Sequence, residues 1–295
     1  MPVPRTAPAT PPLTPPAALA GVPPQGLFVL GALAQYIGSS FAVLLFAVVP
    51  ASGVAWLRVL TAAGALAVWR RPWQTQWSAR RLALVAAFGL TLTAMNLCFY
   101  LAIDRLPLGT AVALEFWGPI AVATLGSRSR RDAGALVLAV AGVLLLADVH
   151  IAGTPAGVAF AVAAGGFWAA YVVLGHRVAA EPGMRPRDGL AAGMAIGALA
   201  FAPFLAGGAG PALAAPWRLA ACVAVGLLSS VIPYALEQLA MVRLPRARFA
   251  LLLSLLPATA AVVGAVILGQ LPGALEVVGI ALVVAASALR SHTEP

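Results

Sequence analysis

Ten stretches of helical length run through this chain with almost no charge inside them. They cover roughly 26–49, 52–69, 82–102, 107–125, 133–148, 155–175, 189–206, 218–240, 247–269 and 274–289. Each is close to the ~20 residues that a helix needs to cross ~30 Å of hydrocarbon. In lipid, every backbone polar group must be bonded within the protein, so spanning segments are helices or the strands of a closed barrel. A barrel needs alternating segments of ~10 residues with a polar lumen face, and these are absent. Only 9% of the residues are charged while 62% are hydrophobic, against about 25% charged in soluble domains. The expected fold is therefore an all-α polytopic membrane protein with ten transmembrane helices.

The charges sort by side. All 18 basic residues are arginine, and the formal net charge is +9. With the N-terminus taken as cytoplasmic, the inner segments hold Arg5; Arg70, Arg71, Arg80 and Arg81; Arg128, Arg130 and Arg131; Arg177, Arg185 and Arg187; Arg243, Arg246 and Arg248; and Arg290. The outer loops hold only Arg105 and Arg218, and Arg58 falls inside helix 2. That is the positive-inside pattern. It places both termini in the cytoplasm. It also makes the basic charge a topology signal rather than a nucleic-acid surface. Residues 1–25 are Pro-rich and read as a disordered leader, and residues 291–295 as a short tail. Cys98 and Cys222 both fall inside apolar runs and read as small packing residues.

The chain also matches itself. "LAIDRLPLGTAVALEFWGPIAVATLG" (101–126) aligns without a gap on "LAMVRLPRARFALLLSLLPATAAVVG" (239–264), at an offset of 138. Pro107 meets Pro245, Pro119 meets Pro257 and Gly126 meets Gly264. This divides the chain into repeats 26–150 and 151–290, of five helices each. An odd number of crossings turns the second repeat upside down. Inverted repeats recur in transporters, with the substrate site near the midplane between them.

Ionisable residues at the centre of a spanning helix cost roughly 2.5–3.5 kcal/mol on insertion scales, and they usually face a cavity or a partner. Glu115 lies seven residues into helix 4. Pro119 cannot donate the helical hydrogen bond to the Glu115 carbonyl, so a carboxylate and a freed carbonyl share one spot. Two readings stand: a cation or proton site on the pathway, or a structural ion pair or hydrogen-bonded acid. Arg58 lies at similar depth and can either pair with Glu115 or hold a substrate carboxylate in its fork of donors. Glu237 follows the helix-breaking Pro233 by one turn. It reads either as an inner-side acid complementing Glu115 or as a side chain snorkelling to the interface. Further candidates for the pathway are Gln35, Ser39 and Ser40 on helix 1, Asn96 and Tyr100 on helix 3, and Trp117 on helix 4. Trp168 and Tyr171 on helix 6 and Tyr234 on helix 8 complete the set. Pro257 breaks helix 9. The chain has no H-E-x-x-H, P-loop or G-x-S-x-G motif, and nothing in it calls for a cofactor or a metal.

Three stretches, "MNLCFYLAIDRLPLGTAVALEFWGPIAVA", "FWAAYVVLGHR" and "IPYALEQLAMVRLPRARFALLLSLLPA", resemble the EamA-type permeases of the drug/metabolite transporter superfamily. Within them the chain is most similar to the bacterial threonine/homoserine exporters. The resemblance covers helices 1 to 10. It implies a ten-helix inverted-repeat fold that exports small amino acids by proton exchange. Glu115 and Glu237 fall on acidic positions of the family pattern, and Asn96 and Tyr234 on polar ones. There is one departure: Leu256 stands before Pro257 where exporters of this group tend to have Glu, and Gly269-Gln270 stands where Gly-Glu often follows. The expected partners are a small-molecule substrate, protons and the lipid bilayer. Rival readings are a permease of the same fold moving aromatic compounds, cations or drugs, and a membrane-embedded enzyme or receptor without transport.

Overall fold

The structure is a computed structural model that describes residues 21–125, 130–151, 154–182, 184 and 186–291. Arg5, Arg128, Arg185, most of the Pro-rich leader and the tail beyond Ser291 lie outside the described residues. Among those described there is no strand. The helices are α1 (Pro24–Leu45), α2 (Ala51–Arg70), α3 (Ala79–Ile103), α4 (Leu108–Glu115), α5 (Trp117–Leu125), α6 (Arg130–Ile151) and α7 (Pro155–Ala180). They continue with α8 (Pro186–Leu205), α9 (Gly210–Leu213), α10 (Pro216–Gly226), α11 (Ile232–Arg243), α12 (Arg246–Leu253), α13 (Leu256–Leu268) and α14 (Ala274–Ser291). Helix α1 takes in Pro24 and Gln25, the last two residues of the expected leader, because a proline in the first turn of a helix forfeits no hydrogen bond.

Among the described residues, seven helical stretches are long and apolar enough to cross a membrane: Pro24–Leu45, Ala51–Arg70, Ala79–Ile103, Pro155–Ala180, Asp188–Leu213, Pro216–Met241 and Leu251–Leu268. Leu108–Val122, Ala133–Val149 and Ala274–Leu289 are shorter apolar helices. The chain is a multi-pass membrane protein.

Several helices are interrupted where a proline predicts it. Helix α4 ends at Glu115 and α5 starts at Trp117, which leaves Pro119 in the first turn of α5, where a missing N–H costs little. In the same way α12 ends at Leu253, four residues before Pro257. Between α10 and α11 the chain winds as a π-helix over Leu227–Val231, just before Pro233. Such π-bulges concentrate at functional sites.

Helices before residue 151 pack on helices after it: α3 on α7 and α8, α2 on α8, α1 on α11 and α13, and α6 on α14. Two hydrophobic clusters result. The larger gathers Leu27, Tyr36, Leu114, Ala164 and Val283. The smaller gathers Val59, Phe88, Val178 and Met194. Small residues let α3 and α8 approach closely. A Cβ on Gly89 of α3 would overlap the Gly193 carbonyl of α8, and one on Gly197 would run into the Thr93 hydroxyl and the Gly89 carbonyl. Trp56 of α2 donates its indole N–H to the Ala198 carbonyl at 2.7 Å.

Candidate functional site

Glu115 is the last residue of α4 and is buried, 8% exposed. The amide of Phe116 reaches back only to the Ala113 carbonyl, at 3.3 Å, so the helix tightens and stops. The Glu115 carbonyl that Pro119 leaves without its helical donor lies against α7. A Cβ on Gly165 would come within 2.6 Å of it, so only glycine permits this approach. Trp117 closes the same contact by donating its indole N–H to the Val162 carbonyl at 3.0 Å. Phe116 meets Trp168 edge-on, with centroids 5.1 Å apart. Trp117 and Trp168 therefore tie the α4–α5 break to α7.

Arg58 is also buried, 7% exposed. It forms no ion pair with Glu115. The ion pairs among the described residues are Arg70–Asp188, Arg81–Glu181 and Arg105–Asp104. The two groups lie within electrostatic reach of one another without touching. The fork of Arg58 is instead turned to the π-helical segment. Its Nε donates to Ser230 Oγ at 2.8 Å and its Nη2 to the Ser229 carbonyl at 2.7 Å. That carbonyl is the one whose helical donor Pro233 removes, four residues on. The guanidinium also sits 5.0 Å over the Tyr100 ring. The Tyr100 hydroxyl lies 3.4 Å from Ser229 Oγ, which donates to the Val225 carbonyl at 2.6 Å. Gly38 of α1 packs directly on this segment, since a Cβ there would come 2.9 Å from the Ser229 amide. Next to Gly38, the hydroxyls of Ser39 and Ser40 are buried without a hydrogen-bond partner among the described residues.

Glu237 stands on α11, half-buried. Its stem lies against α1, because a Cβ on Gly31 would meet its Cγ at 3.6 Å. Gln35, one turn further along α1, is half-buried too. Tyr36 connects the two acids. It is 2% exposed and within electrostatic reach of both Glu115 and Glu237. Tyr171 lies within reach of Tyr234 and Glu237 and stacks on Phe88 with centroids 5.0 Å apart. Asn96 is buried and donates to the Leu92 carbonyl of its own helix at 2.8 Å. Pro257 is buried in the first turn of α13.

Two groups emerge. One joins Glu115, Tyr36, Glu237, Tyr171 and Tyr234. The other joins Arg58, Tyr100, Ser229 and Ser230. Tyr36, Ser229 and Ser230 are absent from the sequence reading. For the serines a signal existed. The rule that picked out the Glu115 carbonyl from Pro119 picks out the Ser229 carbonyl from Pro233. Gln270 finds a role in capping: its Oε1 accepts from the Leu108 amide at 2.9 Å, while Thr110 Oγ1 donates to Glu276 at 2.9 Å. The start of α4 is thereby held by the α13–α14 connection.

Residues 155–291 match the model of the EamA-like transporter family. The chain is 39% identical over 258 residues to the threonine/homoserine exporter RhtA of Salmonella typhimurium (strain LT2), covering 85% of each chain. It is 38% identical, over the same length and shares, to the threonine/homoserine exporter RhtA of Escherichia coli (strain K12). A crystal structure of a protein with 21% sequence identity superposes with a TM-score of 0.55, over 89% of this chain and 95% of that one. That likeness concerns the fold. With relatives this similar over most of its length, the chain belongs to the EamA-like transporter family.

Proposed function

We propose that the protein is a proton-coupled exporter of small amino acids of the threonine or homoserine type, working by antiport in a bacterial inner membrane. One observation carries this reading: two carboxyl groups, Glu115 and Glu237, lie on apolar helices without an ion-pair or hydrogen-bond partner among the described residues, and Tyr36 lies within reach of both. An intramembrane acid that nothing neutralises is costly, and proton relay is one of the uses that such acids serve in pumps and transporters. The substrate class follows from the similarity to the RhtA exporters. It also suits the chemistry. A zwitterion needs an acceptor for its ammonium, which either acid offers, and a donor for its carboxylate. Arg58 supplies the donor with those N–H groups that Ser229 and Ser230 leave unused.

In this reading all ten apolar segments cross the membrane, residues 26–150 and 151–290 are inverted halves, and both termini are cytoplasmic. The division is supported by α4 and α12, which run eight residues each and end four before Pro119 and Pro257, at the 138-residue offset of the sequence repeat. It is supported too by the family match, which begins close to the start of the second half. The test is overexpression in cells lacking their own exporters. Tolerance to excess homoserine or threonine rises and the internal pool falls. Tolerance gained only to cationic dyes would replace the amino-acid reading with a drug-type permease.

A further inference from the structure

At one end of the α3–α7 pair lies an open cleft of about 430 Å³, lined by Arg80, Leu84, Arg177, Ala180, Glu181 and Pro182. Most charge around it is already engaged. Arg81 lies 3.8 Å from Glu181 and donates to the Pro182 carbonyl at 2.6 Å, and Arg70 lies 3.6 Å from Asp188. Arg80 and Arg177 are different. Among the described residues neither makes an ion pair or a hydrogen bond, although both line the same cleft.

Their positions limit what can occupy it. Arg80 stands in the first turn of α3 and Arg177 in the last turn of α7. Both helices are long enough to span the bilayer, so the cleft opens where hydrocarbon gives way to headgroups. The amide end of α3 and the carbonyl end of α7 carry opposite partial charges here, so the positive character of the cleft rests on the two guanidinium groups. One turn inward from Arg80, Leu84 gives the same cleft an apolar wall. Glu181 is the single acid of the lining, and Arg81 holds it.

We propose that this cleft is a binding site for the headgroup of an anionic phospholipid. Arg80 and Arg177 take the phosphodiester between them, and Leu84 receives the beginning of an acyl chain. Guanidinium groups suit a phosphodiester because their donors reach two of its oxygens at once. Basic pockets between spanning helices are the usual form of such sites. A soluble anion would use the arginines but leave the apolar wall bare, which favours the lipid. The site is independent of the transport reading and of which way the chain crosses.

The test uses the purified full chain. Native mass spectrometry with added phosphatidylglycerol or phosphatidylcholine reads the preference directly. The wild type retains phosphatidylglycerol selectively. Arg80→Gln with Arg177→Gln lowers that affinity about thirty-fold, at about 1 kcal/mol for each basic side chain near an anionic surface. Arg105→Gln, whose guanidinium sits 2.9 Å from Asp104, leaves it unchanged. An unchanged preference in the double variant overturns the proposal. So does displacement of the lipid by millimolar inorganic phosphate, which would make the cleft a free-anion site. A photoactivatable phosphatidylglycerol on the wild type gives a check that needs no variant. Its label falls within residues 80–84 or 177–182, and labelling only elsewhere overturns the assignment.

Discussion

Replacing Pro233 with alanine restores an N–H that reaches the Ser229 carbonyl once the π-helical turn relaxes to α-helical pairing, and that change makes Arg58 less necessary. Nη2 of Arg58 donates to that carbonyl at 2.7 Å and Nε to Ser230 Oγ at 2.8 Å. A hydrogen bond to a charged group contributes about 1.5–3 kcal/mol. Arg58→Met removes both bonds, a gross loss of about 3–6 kcal/mol, offset in part because a desolvated charge is removed with them. In the Pro233→Ala background the Ser229 carbonyl keeps a donor when Arg58 is lost. The cost of Arg58→Met then falls by the worth of one such bond, about 1.5–3 kcal/mol. The assay is a double-mutant cycle on purified protein in detergent, unfolded with a chemical denaturant and followed by tryptophan fluorescence. Ser230→Ala serves as the contrast: it couples to Arg58→Met and not to Pro233→Ala. If Arg58→Met and Pro233→Ala add to within about 0.5 kcal/mol, Arg58 is not the partner of the carbonyl that Pro233 frees.

Three other outcomes are expected. Glu115→Gln keeps shape and removes the exchangeable proton, so it reaches the membrane at wild-type levels and loses proton-driven efflux in sealed vesicles. Normal efflux in that variant would shift the coupling role to Glu237. Gly165→Ala places a Cβ 2.6 Å from the Glu115 carbonyl and lowers stability by about 1–3 kcal/mol as an overpacked contact, read as a drop in melting temperature; an unchanged melting temperature would count against the close approach of α4 to α7. A phosphatase active only outside the cytoplasm works when fused after Asp148 and fails when fused after Gln74, and the reverse pattern would invert the proposed orientation.

How far these features were legible in the sequence depends on what kind of signal each leaves. Helix breaks are local, so Pro119 and Pro257 announced theirs to within four residues. Glu115 and Arg58 were visible because a charge inside an apolar run is an anomaly whatever surrounds it. Depth along a helix was legible as well, since it needs only a count of residues. Rotation about the helix axis was not. It decides that Arg58 turns to Ser229 and Ser230 while Glu115 stays apart. Tyr36 shows the limit most plainly. A tyrosine between Gln35 and Ile37 is unremarkable in a spanning helix, and its place between two acids exists only once α1, α4 and α11 are assembled. Helix ends moved where polar residues continue a turn beyond the apolar stretch. Helix α7, expected to stop near residue 175, runs through His176 and Arg177 to Ala180.

The crossing of α3 and α8 is one of several places where glycine brings main chain onto main chain. At Gly89, Gly193 and Gly197 main chain lies on main chain, and Thr93 contributes only its short hydroxyl. Interlocked side chains resist slippage because each must leave one notch and find another. The glycine stretch itself offers few notches, although Phe88 and Met194 pack beside it. The two helices can glide a fraction of a turn while their spacing stays fixed, as a bearing permits motion along one direction and blocks it across another. For the proposed antiport, such a stretch is a place where shear meets less resistance. A single methyl group added at Gly89 would jam it.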